Sequence, residues 1–177
     1  MEELVPFGSP GYFIFLGALL VSRGADFLST WIATPSLALE GNPIAKKLGW
    51  KLGGAVNLAL CVTFAFSPII ATIVSTTSLL VAGRNFQQAW LMRTLGEEAY
   101  RVWYLQRFLE TPFLLYLFCL LAQSSVYALL GLLLMLFSVH GLPFAIGLGL
   151  VAYAITVVFY SLLSVWRVRR QLGKVME

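Results

Sequence analysis

The sequence predicts an all-α fold, a bundle of four transmembrane helices with two short interfacial helices between the second and third spans. Three observations carry this. Residues 12–34, 53–81, 112–139 and 144–166 are long apolar stretches, and about 20 such residues are enough for a helix to cross the roughly 30 Å hydrocarbon layer of a bilayer. Only 11% of the 177 residues are charged and the mean hydropathy is +0.85, whereas soluble domains carry roughly 25% charged residues. Between the second and third spans, residues 84–110 alternate arginines and glutamates with aromatic rings, a composition suited to the headgroup layer. The whole chain, 1–177, reads as a single integral membrane domain.

The first span is the most informative because Ser22, Arg23, Asp26, Ser29 and Thr30 interrupt its apolar run. An ionised side chain near the bilayer centre costs at least about 2.5 kcal/mol, so it is expected to face protein and to have a partner. Arg23 and Asp26, three residues apart, lie on one helix face, and Thr30 continues that face. They read either as a structural clasp or as part of a ligand or ion site. The N-terminus has no basic n-region and no small-residue cleavage pattern, so this span is expected to be retained.

Thr34-Pro35 should end the first helix. A connecting segment, 36–51, follows with Glu40-Gly41-Asn42-Pro43 and the cations Lys46, Lys47 and Lys51. Gly-Asn-Pro is turn chemistry. The second span, 53–81, contains Pro68 and reads as one kinked helix, with a re-entrant hairpin as the alternative. In the interfacial stretch, Gly96 can cap a first short helix, and Glu97 and Glu98 suit the positive N-terminus of a second. Trp90 and Trp103 stand out there as candidate interface residues. Thr111-Pro112 resembles a helix start, and His140-Gly141-Leu142-Pro143 forms the turn between the last two spans.

Four spans bring both termini to one side. The C-terminal cluster Arg167, Arg169, Arg170 and Lys174 and the arginines of 84–110 share that side, which makes it cytoplasmic in a multi-pass protein of the cell (inner) membrane. Lys46, Lys47 and Lys51 dissent, because they land outside. The net charge of +4 and the pI near 9.3 are thereby assigned to the membrane rather than to nucleic acid. Cys61 and Cys119 fall in opposite leaflets, too far apart for a disulfide.

Each later span also carries small or polar residues at helical spacing: Gly54, Asn57 and Cys61; then Cys119, Gln123, Tyr127 and Gly131; then Gly149, Tyr153, Thr156, Tyr160 and Ser164. Membrane helices use such stripes to pack, so the plainer reading is a bundle interface. At 1.5 Å per residue, Arg23, Gln123, Tyr153 and Thr156 come to mid-membrane, with Asn57, Glu40 and Asn42 at the outer mouth. A loop folded inward would bring Glu40 and Asn42 toward Asp26 in an oxygen-rich pocket. The candidate ligand-binding set is therefore Asp26, Arg23, Thr30, Glu40, Asn42, Asn57, Gln123, Tyr153 and Thr156, with the metal and cofactor unspecified.

Asp26-x-x-Ser29-Thr30, followed by Glu40-Gly41-Asn42-Pro43, resembles the first-helix pattern of an uncharacterised family of small prokaryotic membrane proteins, described only as a domain of unknown function. The resemblance covers about 20 residues and otherwise only the layout of spans. It implies that Asp26, Thr30, Glu40, Asn42 and Pro43 belong to a shared site, and it supplies no activity. Arg23 is outside the pattern.

Three functions fit these residues. The first is a polar intramembrane site that binds or transports a small polar solute, a cation or a lipid headgroup, in a homo-oligomer embedded in the lipid bilayer. The second is an accessory or scaffold subunit that docks partner membrane subunits through the aromatic segment. The third is an intramembrane enzyme using Asp26 and Glu40 as acid and base or as metal ligands. No nucleophile motif, phosphate loop or zinc pattern supports the third, and the lone His140 reads as a turn residue.

Overall fold

The computed structural model describes residues 4–175, with side chains up to Arg169. Among these residues the chain forms six helices and no strand: α1 Pro10–Ala33, α2 Pro43–Phe64, α3 Pro68–Leu95, α4 Glu97–Glu110, α5 Phe113–Phe137 and α6 Gly141–Val175. Four stretches are long and apolar enough to span a membrane: α1, α3, α5 and residues Gly141–Arg169 of α6.

Three helices start with the same device. Ser9, Asn42 and Ser67 each place a side-chain oxygen on backbone N–H groups of the first turn, and each is followed by a proline at the first helical position. Proline suits that position because its φ is already helical and its missing N–H would have had no partner. This revises the expected second span. Pro68 opens a helix instead of kinking one, so residues 53–81 belong to two helices separated by the turn at Ala65–Ser67.

A second revision follows from the first. No strong breaker interrupts the chain between Pro68 and Leu95, so residues 84–95 continue α3 and only α4 remains a separate short helix. Gly96, with φ +81, makes the corner between them in a conformation that favours glycine. Gly49, with φ +65, similarly breaks α2 into a short basic turn and a longer apolar arm.

Contacts fix the helix directions. α1 and α3 run parallel, because the Tyr12 cluster meets Ala71, Arg23 meets Ser78 and Thr30 meets Asn85. α2 returns antiparallel to α1 through the same depth. Its Trp50 donates to the Pro35 carbonyl at 2.8 Å, Asn57 receives Arg23, and the Val62 carbonyl accepts from the Tyr12 hydroxyl at 3.3 Å. α6 runs parallel to α3, with Gly141 near Ile69 and Gly149 against Thr76. α5 runs antiparallel to α6, from Phe113 under Arg169 to Gly131 against Gly147.

These directions put the start of α1 and the end of α6 at opposite ends of the bundle. The expected placement of both chain ends on one side counted α2 as part of a single second span. Apart from Arg23 and Arg84 inside the helices, the described cations lie at one end: Lys46, Lys47, Lys51, Arg93, Arg101, Arg107, Arg167 and Arg169 are at the α6 exit end, and Arg167 donates to the Gly41 carbonyl there. The other end, formed by residues 5–9, 65–67 and 138–140, carries no lysine or arginine. The three lysines that dissented in the sequence thus join the remaining cations.

Candidate functional site

Arg23 is the hub of the α1–α2–α3 interface. Its Nε donates to Asn57 Oδ1 of α2 at 2.8 Å, and its Nη2 donates to the same oxygen. Its Nη1 donates to Asp26 Oδ2 at 2.9 Å and to Ser78 Oγ of α3 at 3.1 Å. One guanidinium therefore joins three helices, using the fixed fork of donors that arginine presents. Asn57 is held in place because its own Nδ2 donates to the Gly53 carbonyl at 2.8 Å.

About two turns beyond Arg23 toward the basic end, Asn85 Nδ2 of α3 lies 3.3 Å from both Ser29 Oγ and Thr30 Oγ1. Ser78 and Asn85 escape the sequence pattern because α3 was divided between two expected elements. Their signal is nevertheless present: Ala71, Ser78, Ala82, Asn85 and Ala89 recur at helical spacing, and the alanines and Ser78 are buried. Such a stripe lets α1 and α3 approach closely and exchange hydrogen bonds.

The 34–42 loop joins α1 to α2 and is held by its own hydrogen bonds and by its neighbours. Thr34 Oγ1 accepts from the Leu39 N–H, Lys46 Nζ donates to the Ala38 carbonyl, and Leu37 is buried at φ +59. Glu40 is half-buried, and its carboxylate is within electrostatic reach of Asp26. Its Oε1 accepts from the Asn42 N–H at 2.7 Å. The side chains of Arg23 and Asp26 keep only 29% and 17% of their surface exposed. Arg23 is the ion-pair partner of Asp26, and the ion pairs among the described residues include none at Glu40.

The remaining candidates are not brought to this cluster. The Asn42 side chain is occupied in capping α2, with Oδ1 accepting from Ile44 N–H at 3.0 Å. Gln123 is exposed on the outer surface of α5. The Thr156 hydroxyl donates to the Ala152 carbonyl of its own helix at 2.8 Å. Tyr153 is buried and packed edge-on against Tyr127, away from the Arg23 cluster. A partly open depression at the α1–α3 mouth is lined by Ala33, Pro35, Met92, Arg93, Gly96 and Glu97. Trp90 and Trp103 are 67% and 39% exposed. Among the described residues, no three His, Cys, Asp or Glu side chains converge as metal ligands, and Cys61 and Cys119 are both free.

Near the basic end, Glu97 accepts from the Ser36 N–H at 2.9 Å and from the Ser36 hydroxyl. Partial burial would raise its carboxyl pKa, but these bonds, with others from Thr34 and Ala38, outweigh it and hold the group below the ordinary glutamate range. This contact ties the 34–42 loop to the start of α4.

No family model matches the chain, and no curated protein or solved structure matches it.

Proposed function

We propose that this chain is a polytopic membrane protein that binds a small monovalent cation or cationic solute at the Asp26–Glu40 carboxylate pair. The observation carrying this reading is the charge balance of the cluster: Arg23 offsets one carboxylate, and Glu40 approaches Asp26 without a cation of its own among the described ion pairs. A charge held in a membrane interior calls for a partner. A cation of low charge density fits two carboxylates and neighbouring hydroxyls better than a divalent ion, which asks for a fuller set of oxygen ligands. The resemblance of Asp26, Thr30 and Glu40 to one shared motif supports treating them as a unit.

The lysine- and arginine-rich end is assigned to the cytoplasm by the positive-inside rule. The site then opens toward the cytoplasm beside the 34–42 loop, α2 makes a fifth traverse, and α4 lies along the cytoplasmic headgroups. A second reading, a scaffold that docks a membrane partner, is favoured by the exposed Trp90 and Trp103 rings and by Val102 and Leu109 at 59% and 56% exposure.

The test is thermal unfolding of the full chain in lipid nanodiscs with sodium, potassium or methylammonium chloride at constant ionic strength. One cation is expected to raise the midpoint by roughly 3 °C or more, and Asp26→Asn and Glu40→Gln each to abolish the rise. Equal midpoints in all three salts would reject the cation reading. A partner that co-purifies with the wild type and is lost on changing Trp90 and Trp103, but not Asp26, would favour the scaffold.

A further inference from the structure

We propose that two copies of this chain pair through α5, with the Gln123 amides of the two copies hydrogen-bonded to each other in the middle of the membrane. Gln123 lies near the centre of a helix of 25 residues that is long and apolar enough to span a membrane. It stands about 15 Å from the nearer helix end, within a hydrocarbon layer roughly 30 Å thick, so its side chain reaches neither headgroups nor water. Yet it is exposed on the outer surface of α5, and among the described residues no hydrogen bond engages its amide.

Several other polar side chains of the spans are satisfied within the chain. Thr72, Thr77 and Thr156 each donate to the carbonyl four residues back in their own helix, at 2.7, 2.9 and 2.8 Å. Asn57 and Asn85 bond between helices. A carboxamide left in hydrocarbon loses its water partners and gains none from lipid chains. The partner for Gln123 therefore has to come from another helix at the same depth.

The face on which Gln123 stands says which helix. Cys119, Gln123, Val126, Leu130, Leu133 and Phe137 follow one another at alternating steps of four and three residues, and all six are exposed. That is the spacing of the a and d positions of a left-handed helix pair, a common packing of membrane helices, and it puts Gln123 at an a-type position. α5 packs on α6 through its other side, at Leu120 and Gly131, which leaves the stripe uncovered. Leucines facing lipid require no partner, because lipid is as apolar as they are; the glutamine among them does. An amide carries two N–H donors and a carbonyl acceptor, so its own copy complements it. Two copies with one orientation in a bilayer are related by a two-fold axis along the membrane normal, which brings identical residues together at one depth. A single polar residue at an a position also fixes register and strand number, and the expected assembly is a dimer. This pairing does not depend on the cation reading of the Asp26 cluster.

Cys119, one turn from Gln123 on the same stripe, faces its own copy in that dimer and reports on it. The test is oxidative cross-linking of the full chain carrying Cys61→Ser, reconstituted in phosphatidylcholine vesicles over a series of protein-to-lipid ratios, with copper phenanthroline as oxidant and non-reducing gels as readout. Position 119 should give a dimer that thiol reduction reverses. Gln123→Leu should weaken association by about tenfold in the lipid dilution series; it replaces a lipid-facing side chain, so the thermal midpoint of the monomer in excess detergent should stay unchanged. Gln123→Asn keeps a self-complementary amide and should retain most of the dimer. A cysteine moved off the stripe, Ser125→Cys with Cys119→Ser, should not cross-link. Equal dimer yields with and without Gln123→Leu, equal yields from positions 119 and 125, or no dimer at any ratio overturns the proposal.

Discussion

The α5–α6 hairpin and the α1–α2 pair are both antiparallel helix pairs, yet they are joined by different physics. In α5–α6 the glycines meet: a Cβ built on Gly131 would lie 2.5 Å from the Gly147 carbonyl oxygen, and one built on Gly147 would lie 2.6 Å from that of Gly131. Backbones this close gain dispersion contacts along their length, the usual source of helix association where lipid is as apolar as the side chains. α2 has no such seam. Only Gly53 and Cys61 of its residues are buried, and polar pins hold it at Trp50, Asn57 and Val62. The dry hairpin is rigid by shape, while the pinned helix depends on a few hydrogen bonds. The proposed carboxylate site lies beside the pinned one, where a ligand would alter charge without prying apart a packed core.

Breaking the hairpin should have the largest effect. Gly131→Ala with Gly147→Ala forces the two backbones apart, and overpacking of this kind costs about 1–3 kcal/mol per site. Reversible unfolding in mixed micelles should show the loss, with α1–α3 contacts surviving. Arg23→Met comes next. It strands Asp26 and Asn57, and the 3–5 kcal/mol typical of a fully buried broken pair is reduced by the residual exposure to about 2 kcal/mol. Asp26→Asn, which keeps an acceptor for Arg23, should cost less than that.

Asn57→Leu sharpens the comparison further. It removes one interhelical partner, at about 1 kcal/mol, and should raise hydrogen exchange in α2 while α5 and α6 remain protected. The smallest effect belongs to the Ser36–Glu97 contact. Because the folded carboxyl is held below its unfolded value, the contact contributes fully above the ordinary glutamate range and loses its contribution as pH falls through the lowered value. The 34–42 loop should therefore become more susceptible to protease in acid, and Ser36→Ala should remove that pH dependence.

The membrane class and the Arg23–Asp26 pair were legible in the sequence, since each follows from the apolar runs and the charge placed in one of them; the placement of the Glu40 loop was not. The helix count was only partly legible. α2 hid because Lys46, Lys47, Lys51 and the glycine pair 53–54 lower its hydropathy, and because Pro68 was weighed as a kink when Ser67 beside it made a cap. Reading Pro68 as a kink divides α3 between two elements, hides Ser78 and Asn85, and puts the three lysines at the opposite end from the arginines. Gln123 and Thr156 illustrate another limit. Depth along a helix follows from counting residues, but which way a side chain turns depends on neighbours the count does not supply.

The account turns on α2 crossing the bundle beside α1, pinned by Arg23. Membrane-impermeant thiol labelling in sealed vesicles tests it, using single cysteines at Lys47→Cys, Arg101→Cys and His140→Cys in a background with Cys61 and Cys119 replaced by serine. Positions 47 and 101 should react from one face and position 140 from the other. Labelling of 47 and 140 from the same face, opposite to 101, would contradict the return of α2 and the clasp that holds it.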